Sequence, residues 1–75
     1  MPITQEKTKI SFRISWKDVI IMRLVADGHT SLQISDKLGL SERRIQHRIL
    51  RLRRELNCKN ITHLAITLLR ENIIR

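Results

Sequence analysis

Among its 75 residues this sequence has one cysteine, one proline, two glycines, one tryptophan, one phenylalanine and no tyrosine. Each scarcity excludes something. A lone thiol, Cys58, cannot close an internal disulfide. No grouping of cysteine and histidine has zinc-ligand spacing, and His29, His47 and His63 are not spaced as metal ligands. No metal or cofactor is expected, and the fold must stand on apolar packing alone, which suits a reducing cytosol. With aromatics at 3%, a platform for stacking single-stranded bases has little to work with. Long hydrophobic runs are absent too. The longest, residues 19–22 and 24–26, are broken by Arg23 and far too short for a bilayer. The opening Met-Pro-Ile-Thr-Gln-Glu-Lys lacks the apolar core of a signal peptide. A cytoplasmic location is therefore expected, with no membrane partner.

Negative charge is also in short supply. Seven acidic residues against fifteen lysines and arginines leave +8 on a chain of 8.9 kDa. A surface this basic calls for a polyanion. The length allows one small domain, and a chain this short can scarcely wall a closed substrate cleft. No acid–base pair, nucleophile constellation or phosphate-binding loop is visible. The chain is not expected to be an enzyme, nor this segment to hold a small-molecule ligand.

What is present is punctuation. Ser15 with Asp18 three residues on makes a variant capping box, flanked by Ile14 and Val19 at the two staple positions. A first helix is predicted over 16–27, stopped by Gly28 in a left-handed conformation. Thr30 and Gln33 repeat the capping-box spacing and open a second helix over 31–38, which Gly39 ends. Ser41 caps a third helix over 42–56, with Asn57 as terminator. Asn60 caps a fourth over 61–71, with Asn72 after it. No strand-forming run lies inside these limits, so the fold is read as all-α, with four helices in residues 14–75 and an N-terminal arm at 1–13.

Apolar spacing indicates how the helices pack. Ile45, Ile49, Leu52 and Leu56 form one stripe on the third helix, Ile61, Leu64, Ala65 and Leu68 one on the fourth, and Ile34 and Leu38 the inner face of the second. The tight Gly39-Leu40-Ser41 turn makes the second and third helices a helix-turn-helix, the unit whose latter helix enters the DNA major groove. An ordinary helical hairpin has the same outline, and charge separates the two. Six arginines, at 43, 44, 48, 51, 53 and 54, stand against Glu42 and Glu55 on the third helix. They surround the face opposite the core stripe, which favours nucleic acid over a merely solvated face.

Ala26-Asp27-Gly28, then Gln33-Ile34-Ser35, then residues 38–45 reading L-G-L-S-E-R-R-I, then residues 56–60 reading L-N-C-K-N, resemble the LuxR/GerE-type helix-turn-helix domain. That family typically reads A-x-G, K-E-I-A, L-x-I-S-x-x-T-V-x-x-H and K-L-G-V-x-N. The resemblance runs without a gap over 14–74. It implies a bacterial transcription regulator that binds double-stranded DNA sequence-specifically, with a recognition helix over 42–56 and dimers formed through the helix over 61–71. Such domains commonly follow a receiver or ligand-binding domain. The chain is thus either a stand-alone small regulator, which Met1 favours, or a response-regulator output domain, nucleoid-associated in either case.

Several positions depart from the family pattern. Arg44 stands where the family has threonine and Arg48 where it has histidine. Trp16 interrupts the segment usually reading L-T-x-R-E and is expected to be a core or staple aromatic. Cys58, where the family often has valine, is expected to be a buried filler. Val19, Ile20 and Leu32 are apolar where charged or polar residues are common. Ile10, Phe12 and Ile14 alternate with polar neighbours, so the arm is expected to fold back on the first helix or to pair across a dimer.

Two kinds of DNA contact are expected. Arg43, Arg44, Arg48, Arg51 and Arg54 are candidate phosphate clamps, together with the helix starts at Thr30, Ser31 and Ser41. Gln46, His47 and Leu50 are the base-reading candidates, at positions that contact bases in family relatives. Arg43 and Arg51 are further candidates, able to read guanine. The duller reading of His47 is a solvent-exposed helical histidine, and His29 and His63 are expected to be structural or neutral. Dimer contacts are expected from Ile66, Ile73 and Ile74, which alternatively complete a small core. Two other readings compete: a promoter-reading domain like the last region of a sigma factor, attached to RNA polymerase, and a protein-interaction module that binds an acidic partner.

Overall fold

The computed structural model describes residues 14–75, and the arm over 1–13 lies outside the described residues. Each helix start signalled in the sequence is built as a cap. Helix α1 spans Trp16–Ala26, α2 Ser31–Leu38, α3 Glu42–Glu55 and α4 Ile61–Arg70, and no strand occurs among the described residues. The Ser15 hydroxyl accepts from the Asp18 N–H while the Asp18 carboxylate accepts from the Ser15 N–H. Thr30 and Gln33 exchange the same pair of bonds. Ser41 accepts from the Arg44 N–H and Asn60 from the His63 N–H. Each of these bonds satisfies a donor that the first helical turn leaves without an intrahelical partner.

The terminators also take the expected form. Gly28, Gly39, Asn57 and Asn72 all have positive φ. Helices α1, α3 and α4 end one residue short of the predicted limits, because Asp27, Leu56 and Glu71 are the half-helical C-caps preceding those left-handed residues. Gly39, at φ +68, turns α2 into α3, and a Cβ there would meet no atom within 4 Å. Gly39→Ala is therefore expected to cost the torsional penalty alone, roughly 1–2 kcal/mol, read as a shift in the urea midpoint with an unchanged m-value.

Ile21 and Met22 of α1, Ile34 of α2, Ile45 and Leu52 of α3 and Leu64 of α4 are fully buried together. Around them lie Ile14, Val19, Leu38, Leu40, Leu56 and Ala65, partly covered. Cys58 is buried, as expected of a filler.

Three apolar assignments need correction. Trp16 is not a core or staple residue: it is 68% exposed, because the first position of α1 points away from the side that carries Ile21 and Met22. Ile61 is also not a core residue but about two-fifths exposed, since the first turn of α4 overhangs the core that its next turns, at Leu64 and Leu68, enter. Ile74 is no free interface residue but part of the core, 2% exposed, with Ile73 half-buried beside it. Asn72, at φ +60, turns the chain back, and the N–H groups of Ile73 and Ile74 both donate to the Leu68 carbonyl. This C-terminal wrap delivers Ile74 under α4. Val19 and Ile20 are half-covered by the described chain, whereas Leu32 remains exposed.

Candidate nucleic-acid interface

The helix-turn-helix is anchored by a single carboxylate. Asp18, in the first turn of α1, is completely buried, and its carboxylate reaches across to α3. Its Oδ1 accepts from Arg48 Nη1 at 2.9 Å and its Oδ2 from Arg51 Nη2 at 2.9 Å. Arg48 also donates to the Ser15 hydroxyl at 3.4 Å. One residue therefore closes the α1 cap and receives two guanidinium groups from successive turns of α3. A buried carboxylate is tolerable only when paired and hydrogen-bonded, and both conditions hold here. The arrangement fixes the rotation of α3 about its axis relative to α1, and with it the side of α3 that faces outward.

That outward side consists of Arg43, His47, Leu50 and Arg54, at i, i+4, i+7 and i+11, diametrically opposite Ile45, Ile49 and Leu52. All four are exposed. Arg44 and Gln46 flank the stripe and are exposed as well, Gln46 making a long bond, 3.5 Å, from its amide nitrogen to Glu42. Arg43, Arg44, His47, Arg48 and Arg51 line an open concavity of about 740 Å³ together with Ser15 and Ser41, the caps of α1 and α3. Five basic side chains thus border one hollow beside the outward face of α3.

The six arginines of α3 divide into two groups. Arg48 and Arg51 hold Asp18 and are about one-third to two-fifths exposed, so each presents only part of its guanidinium outward. Arg53 turns away and donates to the Lys59 carbonyl at 2.8 Å, tying the end of α3 to the next loop. The side chains of Arg43, Arg44 and Arg54 have no hydrogen-bond or ion-pair partner among the described residues. A charge count along the helix weighs all six alike and misses this division. The only sequence signal for it is the acidic residue at Asp18, which the local reading assigned wholly to the cap.

The remaining candidates are spread around the molecule. The Thr30 hydroxyl is engaged in its capping box and Ser31 is half-buried, and neither lines the concavity. His29 shares a bond between its Nδ1 and the Leu24 carbonyl, and the Nδ1 of His63 accepts from the Lys59 N–H, so both are structural, as expected. On α4, Ile66 is exposed in the company of Leu69, which the core-stripe reading overlooked. With Val25, Ala26, Ile61 and Ala65 these two line an open hollow between α4 and the end of α1.

Four capped helices, a tight turn and a cationic outward helix define the class: a helix-turn-helix DNA-binding domain. Comparison with known proteins places it further. The family model for bacterial regulatory proteins of the luxR family matches residues 14–68. The chain belongs to that family, one of DNA-binding transcription regulators and not of enzymes. Neither the curated proteins nor the solved structures yield a significant match. Among the described residues no helix is long and apolar enough to cross a membrane.

Proposed function

We propose that this protein reads a specific double-stranded DNA site by laying α3 in the major groove, and does so as a dimer joined through α4. The observation that carries the reading is the outward stripe of Arg43, His47, Leu50 and Arg54, set opposite the buried stripe of the same helix. A helix held by its apolar side and by Asp18 presents that stripe rigidly, and rigid placement is what base recognition requires. His47 and Gln46 offer hydrogen bonds to base edges, Leu50 offers contact with a thymine methyl, and Arg43 can bond guanine bidentately. Arg44 and Arg54 take phosphates, as do the exposed parts of Arg48 and Arg51 and the Ser41 cap. Thr30 and Ser31 would reach phosphates only at the margin of this face.

For the dimer, support comes from the exposed Ile61, Ile66 and Leu69, each about two-fifths exposed on or beside the hollow of α4. A second copy there would carry two α3 helices into successive major grooves of a two-fold symmetric site.

Selection from random duplexes tests both parts. Enrichment of a two-fold symmetric motif is the expected result. Enrichment of a single asymmetric half-site would remove the dimer. Failure to enrich any motif would sink sequence-specific reading and move weight to an acidic protein partner. On the selected site, His47→Ala is expected to lose roughly 1–3 kcal/mol of discrimination at particular base pairs, whereas Arg54→Ala should weaken every sequence alike. Equal losses on all sequences from both variants would refute this division of roles.

A further inference from the structure

Trp16 is the sole tryptophan of the chain, and two-thirds of it faces solvent at the first position of α1. An indole is a large apolar surface with a polar edge, and residues of this kind concentrate where a partner covers them. Trp16 forms a small hollow with Lys17, Ile20, Leu38 and Leu40. This hollow adjoins the cationic concavity beside α3. Ser15 and Ser41 line the concavity, and their chain neighbours Trp16 and Leu40 line the hollow, so the two share a wall made by the start of α1 and the turn before α3. Lys17 stands beside the ring, its Nζ 5.8 Å from the indole centroid.

We propose that Trp16 and Lys17 extend the DNA-binding face across the flanking strand, the indole packing on a deoxyribose and the ammonium on the neighbouring phosphate. The proposal rests on the reading of α3 as the groove helix. A nucleic-acid strand alternates an apolar sugar with an anionic phosphate, and an aromatic next to a cation matches that alternation. Continuity with the cationic concavity selects DNA as the occupant. A second copy of a chain carrying +8 would bring another Lys17 against the first. Contacts of this type fix the register of the protein on the duplex and carry no base preference. Trp16 and Lys17 are therefore positioning residues, and they work from a helix outside the helix-turn-helix pair.

Tryptophan emission reports Trp16 alone, because the chain has no second tryptophan and no tyrosine. The full chain is titrated with duplex DNA while fluorescence anisotropy of a labelled duplex follows binding independently. Trp16 emission is expected to quench and shift in step with the anisotropy. Trp16→Ala should weaken binding roughly five- to tenfold, the weak end of aromatic truncation at a nucleic-acid surface, equally for all sequences and without changing the salt slope. Lys17→Ala, which removes two ammonium groups from the proposed dimer, should lower that slope by about 1.8. Unchanged emission at saturating duplex would overturn the proposal while leaving the groove reading of α3 intact. Absence of any anisotropy change would instead remove the DNA reading itself. An emission shift that follows protein concentration without DNA would assign the surface to a second copy and overturn the proposal as well. Should Trp16→Ala fail to fold, the wild-type titration decides alone.

Discussion

Asp18→Asn is expected to lower the melting temperature by roughly 10–20 °C, the largest stability effect of any single isosteric change at the interface. Asparagine keeps the size of the side chain and an oxygen that can still accept from the Ser15 N–H, so the α1 cap survives. What disappears is the charge facing two guanidinium groups, each held at 2.9 Å. Removing one member of a buried ion pair costs about 3–5 kcal/mol when both partners are buried. Here the arginines are partly solvated, so about 2–3 kcal/mol is the appropriate expectation after screening. For a domain of this size each kcal/mol moves the midpoint by about 4–8 °C. Asp18→Ala should fall further, by about 1 kcal/mol, because it also removes the capping acceptor. Thermal unfolding followed by far-ultraviolet circular dichroism measures both. A shift of only a degree or two for Asp18→Asn would show that solvent, and not Asp18, satisfies Arg48 and Arg51.

The second large effect concerns salt. Arg43, Arg44 and Arg54 are the arginines of α3 whose side chains are left without a protein partner among the described residues, and the proposed dimer would carry six of them. With Arg43 assigned to guanine, Arg44 and Arg54 neutralise four phosphates per proposed dimer, so from them log K should fall with log salt at a slope of about −3.6, and affinity should drop roughly 150-fold between 50 and 200 mM salt. Replacing Arg43, Arg44 and Arg54 together by alanine should flatten most of this dependence while leaving the melting temperature almost unchanged, because none of the three holds the fold. Arg48→Ala and Arg51→Ala should do the reverse, reducing stability first and the slope by less. Titrations of labelled duplex at several salt concentrations separate the two groups. A slope that the triple substitution leaves unchanged would place the phosphate contacts elsewhere on the molecule.

These two predictions depend on a distinction that no count along the chain supplies. Composition and spacing identify a basic third helix behind a tight turn, and the luxR-family match over residues 14–68 agrees with the motifs read from that segment. They do not show which arginines are engaged. Arg48 and Arg51 lie thirty or more residues from Asp18 in the chain, and a contact at that range leaves no periodic trace.

The wrong apolar assignments have a related cause. Helical periodicity gives the direction of a stripe but not where along it the neighbouring helix stops. Ile61 fits the α4 stripe and yet extends past the packed region. Ile74 falls beyond the helix, outside any stripe, and reaches the core only because Asn72 reverses the chain. Trp16 sits beside the cap and staple positions, and propensity says nothing of its being left in solvent.

The sequence by itself determined the four helices, their caps and terminators, the helix-turn-helix and the family. All of these depend on interactions within about four residues, such as Ser15 with Asp18, Thr30 with Gln33 and the left-handed Gly28, Gly39 and Asn57. Only the tertiary structure decided which arginines of α3 pair with Asp18, which have side chains without a partner among the described residues, and which apolar residues of α1 and α4 stay exposed. Burial and charge pairing are properties of surfaces that meet once the helices pack, so a carboxylate that reads locally as a cap becomes the anchor that orients α3.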